Sequence, residues 1–137
     1  MNYNIILAIT MVLLPYEMER EELRINTMIK TITPKNVTVT TYTPSIEECD
    51  STPLITASGF KINPKRIKQH GIIAVSRDLY NRGFKFGTKV KLTGCGEYDG
   101  IYVVEDVMNK RYRNTIDILI GENDKQTKIK NAKMYKI

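Results

Sequence analysis

Two runs of β-branched and aromatic residues, each carrying a carboxylate, constrain this chain more than any other feature. Residues 100–106 read Gly-Ile-Tyr-Val-Val-Glu-Asp and end on a pair of acids; residues 115–120 read Thr-Ile-Asp-Ile-Leu-Ile and hold Asp117 inside an aliphatic run. Such compositions read as strands. Successive side chains on a strand point to opposite faces, so with Ile116 and Ile118 on a buried face, Asp117 stands on the other. Asp is depleted in strands, and a carboxylate that projects from one needs water, a partner or a task. A solvated outer face accounts for one such Asp. The second acid, Asp106, leaving the preceding run, strengthens the case for a site.

The rest of the chain is read against this pair. Val-Thr-Val-Thr-Thr-Tyr at residues 37–42 alternates β-branched residues with hydroxyls, the pattern of a half-buried strand. Residues 43–53 mix Pro, Ser, Glu, Asp and Cys without periodicity and read as a rim loop, followed by a Thr-Ala-Ser-Gly turn at residues 56–59. Residues 71–75 form a short apolar strand, residues 76–82 one helical turn with Ser76 as N-cap, and residues 88–92 a further alternating strand. Gly94-Cys95-Gly96 marks a sharp turn or bulge before the acidic strands. The 137 residues suffice for one core and are too few for two comfortable ones.

Residues 5–14, IILAITMVLL, are the most apolar stretch, about as long as a signal-peptide core and roughly half of the ~20 residues that span a bilayer. No Lys or Arg precedes them and no small-x-small site follows before Pro15 and Tyr16. An exported leader, a retained anchor and a buried segment all stay open. Residues 16–30 read as a short helix or connector. At the other end, residues 122–125 make a polar turn, and residues 128–137 mix lysines with Ile129, Met134, Tyr135 and Ile137 in a basic tail that adds at most an edge strand. The expected organisation is an apolar segment and connector at 1–33, a β domain at 34–121 and a tail at 122–137.

A formal net charge of +6 favours anionic partners through long-range attraction without choosing among them. No zinc-finger spacing or RNA-binding signature accompanies the lysines, so solvated faces are the simplest account and no nucleic-acid partner is expected. A single histidine, His70, and the absence of Cys-x-x-Cys leave no transition-metal site and call for no cofactor. Cys49 and Cys95 are the only cysteines; a disulfide in an exported chain and two buried thiols fit them equally.

Four pieces in order carry a family resemblance: Thr-Ala-Ser-Gly at residues 56–59, Ile-Ile-Ala-Val-Ser at 72–76, Phe-Gly-Thr-Lys-Val at 86–90, and Glu-Asp…Ile-Asp-Ile-Leu across 105–119, with eleven residues from Asp106 to Asp117. Over residues 37–121 the chain resembles the three-aspartate (3D) domain. That family includes the catalytic domain of the membrane-bound lytic transglycosylase A family and the muralytic domains of stationary-phase survival proteins. The resemblance implies a mainly β fold, a six-stranded double-psi β-barrel with short helical turns, every strand coming from residues 37–119. Two departures stand out. Ser76 occupies the place where the family usually has Asp, an acid arriving two positions later as Asp78; and Asp106-Val107-Met108-Asn109 replaces a glycine-rich loop with a bulkier one.

The implied activity is cleavage of peptidoglycan glycan strands. Breaking a glycosidic bond requires a proton for the leaving oxygen and stabilisation of an oxocarbenium-like centre. In lytic transglycosylases the sugar's own 6-hydroxyl attacks and gives a 1,6-anhydro product, so no nucleophilic side chain is needed. By resemblance Asp117 takes the general acid/base role, Asp106 supports it, and Asp78 is the candidate third acid. Tyr42, Thr56, Ser58 and Asn109 are the candidate glycan contacts. An acid that is protonated near neutral pH requires burial beside apolar groups or a neighbouring carboxylate. The chain is then expected to be exported or held at the cell envelope, with residues 5–14 as a route to the membrane. The alternative, which Ser76 favours, is a non-catalytic wall-binding barrel or a structural component of a larger particle such as a phage.

Overall fold

The computed structural model describes the backbone of residues 3–45 and 54–137, and the side chains of these residues other than 3–13 and 30–32. The chain divides into two compact units, Met1–Thr33 and Pro34–Ile137. The first is one helix, α1, Tyr3–Ile32, that runs through Pro15. A proline inside a helix removes one hydrogen bond. Here the residues that follow it, Glu-Met-Glu-Arg-Glu-Glu-Leu-Arg, include strong helix formers, and the two segments expected from sequence are one. No helix among the described residues is long and apolar enough to cross a membrane.

The second unit is mainly β, a closed barrel of six strands: β1 (Lys35–Tyr42), β2 (Ile72–Val75), β3 (Lys89–Thr93), β4 (Gly100–Val107), β5 (Thr115–Leu119) and β6 (Lys128–Lys136). Around the ring they run β1-β5-β2-β4-β3-β6. The β1/β5 and β2/β4 pairs are parallel and the other four pairs antiparallel. Two short helices, α2 (Ile67–His70) and α3 (Arg77–Asn81), flank β2 in sequence. Between them Gly71 adopts φ +57 at the end of α2, where a side chain would meet the Ile101 carbonyl at 3.4 Å.

The inward positions fill the barrel. Val39, Ile73, Val75, Val90, Leu92, Val104, Ile116, Ala132 and Met134 are all fully buried and belong to one cluster that every strand feeds. A second, smaller cluster lies outside, where Tyr42, Ile62, Ile67, Ile72, Ala74, Met108 and Leu119 pack together.

The expected tail differs most from what is found. β6 pairs with β1 on one side and β3 on the other, so it closes the barrel and has no free edge. The barrel's strands therefore extend beyond residue 119. The strand was hard to recognise because its inward set is interrupted: Asn131 takes φ 61, and the pairing with β1 shifts between Val37 and Val39. That irregularity breaks the two-residue alternation by which strands are read.

Candidate functional site

The site begins with β2, whose outward residue Ala74 pairs with Asp117 of β5 on one side and with Asp106 of β4 on the other. Paired positions on adjacent strands share a face, so both carboxylates leave the same outer face. Two strand spacings, about 10 Å, separate their backbones. Ala74 between them is nearly buried and presents only a methyl group.

A bulge makes the alignment possible. Ile73 pairs with Val104, yet Ala74 pairs with Asp106, so Glu105 is the extra residue of β4. In a regular register Glu105 would stand opposite Ala74 and Asp106 would turn to the other face. The turn at residues 56–59 sits on the bulge. Ser58 N–H donates to the Glu105 carbonyl at 3.1 Å, the Ser58 hydroxyl donates to the Glu105 carboxylate, and Ala57 N–H donates to Asp106 Oδ1 at 3.1 Å. Asp106 Oδ1 also accepts Val107 N–H at 2.9 Å.

Asp117 is met from the other side by Thr40 of β1, its register partner, whose hydroxyl donates to Asp117 Oδ1 at 2.8 Å. Beyond Thr40, Lys128 of β6 occupies the next register position. One row of the outer wall thus reads Lys128, Thr40, Asp117, Ala74, Asp106. Tyr42 and Leu119, paired one step along β1 and β5, supply the apolar border of that row.

The third acid is elsewhere. Asp78 lies on α3, and its two carboxylate oxygens accept the Asn114 N–H at 3.2 and 3.1 Å. Asn114 precedes Asp117 by three residues, about 10 Å of strand rise, and its left-handed φ of 45 is a conformation Asn tolerates. Burial raises the Asp78 pKa, but the Ser76 hydroxyl, the Asn114 and Asp78 backbone amides and the Arg82 charge outweigh it and leave it below the ordinary Asp value. Ser76 is fully buried; its backbone N–H donates to the Thr115 carbonyl at 2.9 Å and its hydroxyl accepts the Thr115 N–H at 3.2 Å. It occupies the N-cap position of α3, but its hydroxyl ties the α3 entry to β5 instead of capping the helix.

The expected glycan contacts are engaged in building the wall. The Thr56 hydroxyl is 2.9 Å from that of Ser58 and accepts the Phe60 N–H at 3.1 Å. Asn109 Oδ1 accepts the Arg111 N–H at 3.1 Å and closes the β4–β5 connection. Tyr42 is buried in the outer cluster. Sequence reasoning missed Thr40 and Glu105. The alternating hydroxyls of residues 37–42 held a signal for the first; the adjacent acids at 105 and 106 held one for the second.

A cavity of about 450 Å³ is lined by residues 64–69 and 121–124, where Lys68 and Asp124 form a 2.8 Å ion pair. Neither Asp106 nor Asp117 is among its described lining residues. The acid row is not part of that cavity. Among the described residues no group of three His, Cys, Asp or Glu side chains is placed to hold a metal ion. Cys95 is a buried free thiol whose pKa burial, together with Asp99, pushes up to about 11; Cys49, its expected partner, lies outside the described residues. Compared with models of known protein families and with curated proteins, the chain matches none.

Proposed function

We propose that the barrel is a peptidoglycan-cleaving, lytic transglycosylase-like domain of double-psi type. The observation that carries the reading is the placement of Asp117 and Asp106 on one outer face, either side of Ala74. A closed ring that mixes parallel and antiparallel pairs is compatible with the double-psi type.

The two acids have different partners, and that difference divides the roles. Asp106 receives backbone amides, which only donate. Asp117 is met by a hydroxyl, which donates to a carboxylate and, turned, accepts from a carboxylic acid. Asp117 is therefore assigned the travelling proton. Its carboxyl group protonates the glycosidic oxygen as the C1–O bond breaks. The sugar's 6-hydroxyl oxygen then bonds to C1 and returns its proton to the Asp117 carboxylate, so the residue ends as it began and no water is consumed. Asp106 supplies fixed negative charge toward the oxocarbenium-like centre.

The test is to incubate the purified chain with peptidoglycan and assay anhydro-muropeptides. Asp117→Asn should lower their release on the order of 10²-fold or more, and Asp106→Asn by less. An Asp117→Asn protein that cleaves as fast as its parent sinks the proposal. A second reading has an observation of its own: Ser76 and Asp78 are both engaged in tying α3 to β5. If neither parent nor variant cleaves while both sediment with purified walls, the barrel is a wall-binding module.

A further inference from the structure

The strands divide by charge. β5, β2 and β4 contain Asp117, Glu105 and Asp106 and no base; β1, β6 and β3 contain seven lysines and no acid. Ring order places each set on three consecutive strands, with β6 at the centre of one half and β2, diametrically opposite, at the centre of the other. Six of the lysines, Lys89, Lys91, Lys128, Lys130, Lys133 and Lys136, are exposed, and among the described residues none of them forms an ion pair. Lys133 and Lys136 bond neutral oxygens, those of Asn36 and Gly83.

We infer that the face formed by β1, β6 and β3 is a docking surface for an anionic lipid bilayer. Strand spacing and rise spread its charges over an area about 14 Å by 30 Å, a patch and not a line. The bases are all lysines, point charges that suit dense and mobile headgroups better than bidentate recognition of one phosphate. Exposed isoleucines border them: Ile101 is 62% exposed and pairs with Lys91, and Ile137 is 58% exposed and follows Lys136. Basic side chains with apolar neighbours are the composition of an interfacial surface. A single-stranded nucleic acid would require a series of stacking rings, and this face offers the half-buried Tyr135. With β6 on the bilayer, Ala74 and its flanking acids point away from it. This inference does not rest on the proposed cleavage activity.

Vesicle sedimentation of the full chain tests it, using phosphatidylcholine alone and phosphatidylcholine mixed with phosphatidylglycerol. At about a fivefold change for each lysine near a charged surface, the combined variant Lys89→Ala, Lys91→Ala, Lys130→Ala should bind the anionic vesicles on the order of 100-fold more weakly. Its binding to the neutral vesicles should not change. A charge-matched variant in the loops beside the acid half, Lys61→Ala, Lys65→Ala, Lys110→Ala, should retain most of the parent's binding. Both are surface changes and should leave the circular-dichroism melt in place. The inference is overturned if the parent binds both vesicles equally, if the first variant binds like the parent, or if the matched variant loses as much. It is also overturned if polyphosphate or an oligonucleotide binds the parent at a salt concentration that abolishes vesicle binding.

Discussion

The acid half and the lysine half of the barrel are alike inside and opposite outside. Ile73, Val104 and Ile116 point inward from one half, Leu92, Ala132 and Met134 from the other, and all six are fully buried in one cluster. Along their strands one half has three acids and the other seven lysines, of which Lys35 and Lys136 pair with the inward Met134 and Val90. Outward positions that are not covered by the second cluster need only be compatible with water, because their side chains stand on the far face of each strand. A mixture of signs would serve the fold and would reduce like-charge repulsion across neighbouring strands. The barrel alone does not require this segregation.

The largest effects should fall on what the halves share. Ile73→Ala in β2 and Leu92→Ala in β3 each remove a fully buried side chain, and each should cost about 2–5 kcal/mol of stability. Urea denaturation followed by circular dichroism should show a single barrel transition that moves by similar amounts in both. If one variant splits the transition and the other does not, the halves are separate folding units and the comparison fails. Outward changes should separate the halves instead. Asp117→Asn should lose about 10²-fold in glycan cleavage with vesicle binding intact, and the triple lysine variant should show the reverse.

Five of the six strands are legible in sequence within two residues, as alternating or continuously apolar runs at residues 37–42, 71–75, 88–92, 100–106 and 115–120. The sixth reads only as a tail with an edge strand and not as the closing strand, since Asn131 breaks its alternation. α1 was read as two pieces because Pro15 falls where a boundary would be placed. For the site, the eleven-residue interval marked Asp106 and Asp117, but their common partner Ala74 depends on a parallel pairing and on the Glu105 bulge, both long-range facts. The lysine face is equally invisible along the chain, where its residues lie as far apart as Lys35 and Lys136.

A smaller effect separates chemistry from architecture at Ser76. Ser76→Asp installs the acid that the proposed transglycosylase reading would place here, but at a position with no exposed surface. A carboxylate there loses its hydration, and a stability loss of about 1–3 kcal/mol is expected by thermal or urea denaturation. No gain in cleavage should accompany it, since Ser76 lies near Thr115 at the start of β5 and not in the Ala74 row. A stable and more active Ser76→Asp protein would show that the acid half extends to this position.

The smallest effect concerns Asp78, and its sign follows from its partners. The folded-state pKa lies below the ordinary Asp value. A carboxyl group depressed by folding contributes stability while it is ionised in both states, above about pH 4. That contribution is lost as pH falls through the lower folded value, where the native carboxylate takes up its proton. Asp78→Asn keeps one acceptor for the Asn114 N–H and removes the charge and its titration. Parent and variant should therefore differ slightly in thermal midpoint at neutral pH, because the group is partly exposed and screened. The difference should hold down to about pH 4 and shrink as the pH falls further. If it grows on acidification, Asp78 does not stabilise the fold through its ionised form, and the tie between α3 and β5 is carried by Ser76.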